Sequence, residues 1–394
     1  MSNTSTGPLI EITDPANIIA RSGNRVERSG SDMLGWPLLG VALRSRAFMT
    51  GMRLAVLALF AYAVYFGYAL VDPEKNYITT GFFWGLFWPF FMLVSMALLG
   101  PVICTFCPHG FIGSYLTRWG LRKNLPKKWR NPYIGLTAVL FGYWLVFYAF
   151  SPFDSPLVTA LFFTVLTVVA IACFLVFDGM AYCHYFCPMG ALKTAFGKLG
   201  IAWLSTYSGA CKGCKTYDCA KACQYKLSPF NFDKYGSMET CTLCMDCAQA
   251  CPSISWRLKK PSFSLLTPMR RMREIDVWVY ILLLAVITIT MRFHHALGRS
   301  AIADQFPWAV GANWLDRTIP LLPELGVDTT GLVALAFALM LTVSVSVGGL
   351  WMSSLVLRQP FSATFKSLGH ALAPLMAIGG LSHVGEFYFL HYHS

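Results

Sequence analysis

Eight of the chain's thirteen cysteines fall between Cys211 and Cys251, at the spacing of a ligand set. They divide into two quartets: Cys211-x-x-Cys214-x4-Cys219-x3-Cys223, then Cys241-x-x-Cys244-x-x-Cys247-x3-Cys251-Pro252. Thiolates are soft anionic ligands, suited to iron–sulfur clusters or zinc. Zinc ribbons also use Cys-x-x-Cys pairs, and an oxidising compartment could turn eight cysteines into four disulfides. Zinc prefers sites closed at four ligands with a longer gap between pairs. It gives no reason for a third and fourth cysteine followed by proline.

The second quartet has the spacing and terminal proline of the bacterial two-cluster ferredoxin run, in which the fourth cysteine crosses over to the other cluster. By that rule Cys241, Cys244, Cys247 and Cys223 hold one [4Fe–4S] cluster, and Cys211, Cys214, Cys219 and Cys251 hold the other. The first quartet has four residues between its second and third cysteines instead of two, which lengthens one loop.

The elements that must position these cysteines are set by composition. Of 394 residues, 56% are hydrophobic and only 13% charged, which excludes an ordinary soluble domain and points to a membrane protein. The net charge of +12 does not argue for nucleic acid, because the basic excess lies in short segments beside apolar spans, as in cytoplasmic loops. The polar N-terminus lacks a basic start, apolar core and cleavage site, so no signal peptide is expected, and residues 1–43 read as a cytoplasmic tail.

A hydrocarbon core of about 30 Å needs roughly twenty apolar residues as helix, and about seven stretches serve. They are Leu54 to Val71, Phe82 to Ile103, Tyr133 to Phe150, Leu157 to Phe177, Val277 to Met291, Leu332 to Leu350 and Leu368 to Leu390. Basic residues Arg118 to Arg130 and Lys259 to Arg273 flank the cysteine-rich segment and place it in the cytoplasm, with the C-terminus on the outer side. A reducing cytosol favours clusters over disulfides. The expected fold is an α-helical polytopic membrane protein with an inserted bacterial-type 2[4Fe–4S] ferredoxin domain. Its parts are a four-helix membrane region (44–203), the ferredoxin domain (204–260), and a three-helix C-terminal membrane region (261–394) with an outer loop at 292–330.

The four-helix region states one pattern twice. Its second span ends in Cys104-Thr105-Phe106-Cys107-Pro108-His109-Gly110, and its fourth in Cys183-His184-Tyr185-Phe186-Cys187-Pro188-Met189-Gly190. Both pairs emerge on the same side after an even number of crossings, as in a parallel repeat. Two hairpins packed about a pseudo-twofold axis would join Cys104, Cys107, Cys183 and Cys187 into one ligand set for a third cluster or a soft metal. A redox-active dithiol or a copper-transfer site competes, with His109, His184 and Met189 nearby. The plainer alternative is helix-end cysteines that pack as small apolar residues, and that is the reading for the isolated Cys173.

This combination resembles the NapH-type and NosR-type membrane ferredoxins and, more distantly, the CcoG-type cytochrome oxidase assembly proteins. The resemblance covers roughly Arg44 to Trp256. Cys183 and Cys187 match the Cys-x3-Cys-Pro motif, while Cys104 and Cys107 are one residue closer together. The resemblance implies electron transfer between the quinol pool or cytoplasmic donors and periplasmic reductases; the CcoG type implies copper reduction. The three C-terminal spans extend beyond the short family members.

Those spans carry histidines. His294 and His295 at the outer end of the fifth span could face His383 in the seventh across a b-type haem, and His370 could pair with His109 or His184 near the inner face. The alternative is solvated interfacial histidines, and Glu386 reads as an interfacial carboxylate. Together these readings give an electron-transfer protein of the bacterial cytoplasmic membrane. It links cytoplasmic clusters or the quinone pool to a periplasmic redox partner such as a c-type cytochrome, as one subunit of a redox complex. Phe306 to Pro323 is the docking segment. A metal-centre assembly factor and a membrane anchor for an oxidoreductase are the alternative roles.

Overall fold

The computed structural model describes residues 21–379, apart from 23–24, 27, 29, 73, 77, 80–81, 85–86, 88–97, 153–154, 198–199, 212–213, 233–238, 260–272 and 377. The chain is mostly helical, and five described helices are long and apolar enough to cross a membrane: Arg46–Ala69, Pro132–Phe150, Pro156–Val176, Glu274–Ala296 and Thr329–Leu357. Between and beside them lie shorter helices, so in chain order we label Pro37–Arg44 α1, Arg46–Ala69 α2, Pro108–Trp119 α3, Pro132–Phe150 α4, Pro156–Val176 α5, Pro188–Phe196 α6, Glu274–Ala296 α7, Pro307–Thr318 α8, Thr329–Leu357 α9 and Phe361–Leu368 α10. Residues 85–86 and 88–97 of the expected second span and residues 377 and 380–390 of the seventh, with His383 and Glu386, lie outside the described residues. The fifth and sixth spans run further than hydropathy alone suggests. Glu274 and Asp276 open α7, and α9 continues past Leu350 to Leu357.

The helix starts are written locally. The first turn of a helix leaves N–H groups without intrahelical partners, and a short polar side chain can accept from them. Ser45 accepts from Phe48 N at 3.2 Å, Ser155 from Val158 N at 3.3 Å, Asn131 from Tyr133 N at 3.0 Å and Asp328 from Gly331 N at 2.8 Å. Proline occupies the first helical position of both α4 and α5, where its missing N–H costs nothing.

Lipid tails are as apolar as leucine, so helices in a bilayer associate by close packing. On α2, Gly67 meets α5 so closely that a β-carbon there would sit 2.6 Å from the Ala160 Cβ. On the other flank, Trp84 packs on Phe147 and Tyr143 of α4 with ring centroids 5.5 and 5.8 Å apart, and its Nε1 donates to Thr159 of α5 at 2.9 Å. The core continues through Trp144 and Tyr148 to Val286 and Ile287 of α7.

Strands β1 (Ala202–Thr206) and β2 (Ile254–Leu258) pair antiparallel, from Ala202 opposite Leu258 to Thr206 opposite Ile254, and bracket the eight clustered cysteines. Arg28 and residues 30–44, expected up to residue 43 as tail, fold onto this hairpin. Buried Asp32 accepts from Trp256 N and Tyr207 Oη and pairs with Arg28 at 2.6 Å, while Arg44 donates to the Ile254 carbonyl. A buried carboxylate is stable only when its oxygens are satisfied this fully, and the apolar run at residues 33–43 is too short to be read as a span.

Candidate metal centres

The two cysteine loops of the segment are built alike. Asp218-Cys219-Ala220-Lys221-Ala222-Cys223 and Asp246-Cys247-Ala248-Gln249-Ala250-Cys251 each open on a short helix, Asp218–Lys221 and Asp246–Ala250. The residue before each helix, Tyr217 and Met245, is left-handed with φ of 50° and 63°, and Leu243 adds another at 52°. Such turns aim successive amide N–H groups inward and form anion-binding concavities. Amides of Leu243 and Thr242 face Cys241, that of Asp246 faces Cys244, and those of Tyr217 and Thr216 face Cys214.

Burial pushes most of the thiols up: Cys219 and Cys241 to about 11, with Cys244 and Cys247 also raised. Cys214, fully exposed, is lowered, chiefly by the Tyr217 amide. Thiols held this way remain protonated at neutral pH until a metal displaces the proton. The charge interactions among them sort by the crossed scheme: Cys219 feels Cys251, Cys211 and Cys214, whereas Cys247 feels Cys244, Cys241 and Cys223.

The Cys-Pro turns of the repeat are matched in detail. Cys107 caps α3 with φ −58° and ψ 125°, and Cys187 caps α6 with φ −65° and ψ 127°, each followed by proline. The amides of His109 and Gly110 face the Cys107 sulfur, and those of Met189 and Gly190 face that of Cys187. Close approach requires glycine at Gly190, where a β-carbon would lie 2.8 Å from the Cys183 carbonyl oxygen; at Gly110 the corresponding Cys104 carbonyl would be 4.0 Å away, an ordinary contact. The one-residue difference between the halves is absorbed upstream, where Tyr182–Phe186 form a π turn and Val102–Thr105 a short α turn.

The two halves meet. Burial raises all four thiols, Cys187 to about 11, and Cys104 and Cys183 each feel both Cys107 and Cys187. Among the described residues, no set of three or more His, Cys, Asp or Glu side chains closes on a single metal ion. A donor set of four thiols with amides on the sulfurs fits an iron–sulfur cluster. The histidines near this site are occupied: His109 Nε2 lies 2.8 Å from Thr167 Oγ1, and the His184 ring packs edge-on to Tyr225 at 5.4 Å. Burial pushes the His109 imidazole down to about 4 and that of His184 to about 3. Cys173 packs in the apolar cluster of Phe174 and Tyr182.

This third quartet abuts the ferredoxin segment. Thr105 Oγ1 donates to the Leu243 carbonyl at 2.9 Å, and Arg53 of α2 reaches the Thr105 carbonyl, the Cys244 carbonyl and Asp246. Tyr225, two residues after Cys223, faces Cys183 with its hydroxyl and feels both Cys244 and Cys104. Lys193 of α6 lies in the same interior, with Nζ 3.2 Å from the Thr240 carbonyl. Neither Tyr225 nor Lys193 stands out in the sequence. The available signals were a tyrosine between a ligand cysteine and a proline turn, and a single lysine inside Ala191-Leu192-Lys193-Thr194-Ala195.

At the far end of the bundle, His294 Nε2 lies 2.8 Å from Asp328 Oδ2 and its ring contacts His295 at 4.8 Å and Tyr148 at 6.1 Å. Burial raises the Asp328 carboxyl, but the His294 hydrogen bond and the Gly331 amide hold it below its ordinary range. His370 sits near the other end, with Nδ1 2.6 Å from the Lys366 carbonyl and its ring on Tyr280. Helix α8 packs along α9, with Trp308 stacked between Phe293 and Phe306, and leaves Trp314 exposed.

Comparison with known proteins finds the 4Fe-4S binding domain family twice in this chain, at residues 80–128 and 160–205. These matches fall on the two hairpin ends with their Cys-Pro turns, rather than on the segment from Cys211 to Cys251. An uncharacterized protein of Methanocaldococcus jannaschii is 28% identical over 195 residues, covering 43% of this chain and 79% of its own. YccM of Escherichia coli K12, provisionally named as an electron transport protein, is 25% identical over 166 residues, covering 41% of this chain and 43% of its own length. No solved structure matches. The chain is thus similar to iron–sulfur proteins of the 4Fe-4S binding type, and it carries that similarity on helices long and apolar enough to cross a membrane.

Proposed function

We propose that the chain is a membrane-bound iron–sulfur electron carrier with three centres. Two are [4Fe–4S] clusters on Cys211, Cys214, Cys219 and Cys251 and on Cys223, Cys241, Cys244 and Cys247. The third is an iron–sulfur cluster on Cys104, Cys107, Cys183 and Cys187. The observation that carries this reading is the docking of the repeat's four thiols against the second ferredoxin quartet through Thr105, Arg53 and Tyr225. Electrons need closely spaced centres, and three clusters at one end of the bundle supply a series of them. The double match of the 4Fe-4S binding domain to both hairpins supports a cluster over a single copper ion at the third site.

We read this end as cytoplasmic, and the basic residues beside the ferredoxin segment support that reading. An electron arriving there would leave toward a quinone or a periplasmic partner such as a c-type cytochrome, with other subunits completing the path. At the far end, a haem on His294 would have to replace its Asp328 contact, while Trp314 on α8 offers an exposed aromatic contact for a partner. Iron and sulfide analysis of the purified protein tests the reading, with electron paramagnetic resonance after reduction. About twelve of each per chain is expected for three cubanes; about eight, unaffected by Cys187→Ala, would remove the third centre.

A further inference from the structure

Lys193 is 2% exposed, yet among the described residues no carboxylate lies within ion-pairing distance of it. Its Nζ donates to the Thr240 carbonyl at 3.2 Å and lies 5.6 Å from the centre of the Tyr225 ring. Taking an ammonium out of water is costly, and a buried cation with one carbonyl acceptor and one aromatic face beside it is favoured further by any anion bound nearby.

The surroundings supply one on each side. Lys193 lies on the nine-residue helix α6, whose N-cap residue is Cys187, and Thr240 immediately precedes Cys241. Its charge reaches Cys104, Cys183 and Cys187 of the repeat and Cys241 of the ferredoxin segment. Tyr225, the other partner, touches both sites. A cluster held by four thiolates is a net anion that becomes more negative on accepting an electron. A fixed cation beside it therefore favours the reduced state, and net charge is among the factors that set cluster potentials.

We propose that Lys193 is a cation shared by two iron–sulfur centres, one on Cys104, Cys107, Cys183 and Cys187 and the other on Cys223, Cys241, Cys244 and Cys247, and that it raises the reduction potential of both. Moving one electron from either centre to the other oxidises the first and reduces the second. This inference rests on the three-centre reading, which the iron and sulfide content of the wild-type protein tests separately.

The experiment is a potentiometric titration, followed by electron paramagnetic resonance, of the full-length wild type, Lys193→Met, Lys193→Gln and Lys193→Arg, each with its iron and sulfide count. We expect Met and Gln to lower both potentials by at least tenfold in the reduction equilibrium, about 59 mV for one electron. Arg, which retains the charge, stays near wild type. If Met and Gln lose clusters while Arg keeps them, the counter-charge role is also supported. Unshifted potentials at full cluster content, a shift at only one centre, or cluster loss in all three variants would overturn it. A wild type with eight irons or fewer would instead fail the three-centre reading.

Discussion

Arg53, near the start of the first described spanning helix, donates through Nη2 to the backbone carbonyl of Cys244. The same guanidinium bonds the Thr105 carbonyl at 3.1 Å through Nε and lies 3.4 Å from Asp246 Oδ1. One side chain therefore ties α2, the first Cys-Pro turn and the second ferredoxin loop together. The planar fork of donors makes this feasible, and a lysine ammonium cannot reproduce it. Arg53→Ala should cost about 1.5–3 kcal/mol for each well-formed charged hydrogen bond lost. Arg53→Lys should recover only part. Thermal denaturation in detergent, with iron retention at each step, checks both; an alanine variant as stable as wild type would show that the loops dock without it.

Removing single ligands should separate the centres. Cys187→Ala is expected to lower iron by about four per chain while the ferredoxin-type signals persist, and Cys244→Ala to remove one of those signals. The check is iron content beside low-temperature spectra. Loss of the same signals in both variants would mean that the sites assemble as one unit.

Gly190→Ala isolates the geometry of the second turn. The added methyl would lie 2.8 Å from the Cys183 carbonyl, and a backbone atom in a tight turn cannot yield as a flexible side chain can. Crowding of this kind costs about 1–3 kcal/mol. Gly110→Ala has 3.8 Å to its nearest neighbour and should be milder. Comparing third-centre iron in the two variants tests the difference, and equal behaviour would contradict it.

The ion pair between Asp178 and Lys226, 2.6 Å apart, fastens the end of α5 to the stretch after Cys223. The Asp178 carboxyl lies below its ordinary range, first because Lys226 donates a hydrogen bond to it. A depressed carboxylate stabilises the fold fully above the unfolded value of about 3.9, and that contribution disappears as pH falls through the folded value. The lysine is largely exposed, so the effect should stay below about 1 kcal/mol. Asp178→Asn should lower the melting temperature slightly at pH 7 and not at the acid end. A difference that persisted unchanged down to the acid end would contradict the titration.

Metal loading should itself depend on pH. Cys187, Cys219 and Cys241 are pushed up to about 11 by burial, so each must release a proton when it binds iron. Reconstitution of the iron-free protein should therefore acidify an unbuffered solution and proceed further at pH 8 than at pH 6. A pH-stat titration during iron and sulfide addition reads this directly.

Much of the architecture was legible because its signals are local. Apolar length marks most of Arg46–Ala69, Pro132–Phe150 and Pro156–Val176, although the first was expected only from Leu54, and Ser45, Asn131 and Ser155 cap the starts that the structure shows. Cysteine spacing names the candidate ligands, and the two Cys-Pro-x-Gly turns show a repeat before any coordinates exist. Tertiary structure decided what spacing cannot express. Residues 1–43 read as tail because the chain begins polar and its apolar run at 33–43 is too short to span a membrane, yet Asp32 is buried on the ferredoxin hairpin because Arg28, Tyr207 and Trp256 satisfy its oxygens. Lys193 reads as one more basic residue near a membrane surface, and only the packing of α6 brings its ammonium to the Thr240 carbonyl between two cysteine quartets. Sequence fixes which groups are present and how far along the chain they stand. Which charges share a dry interior depends on contacts between segments distant in the chain, and those exist only once the helices have packed.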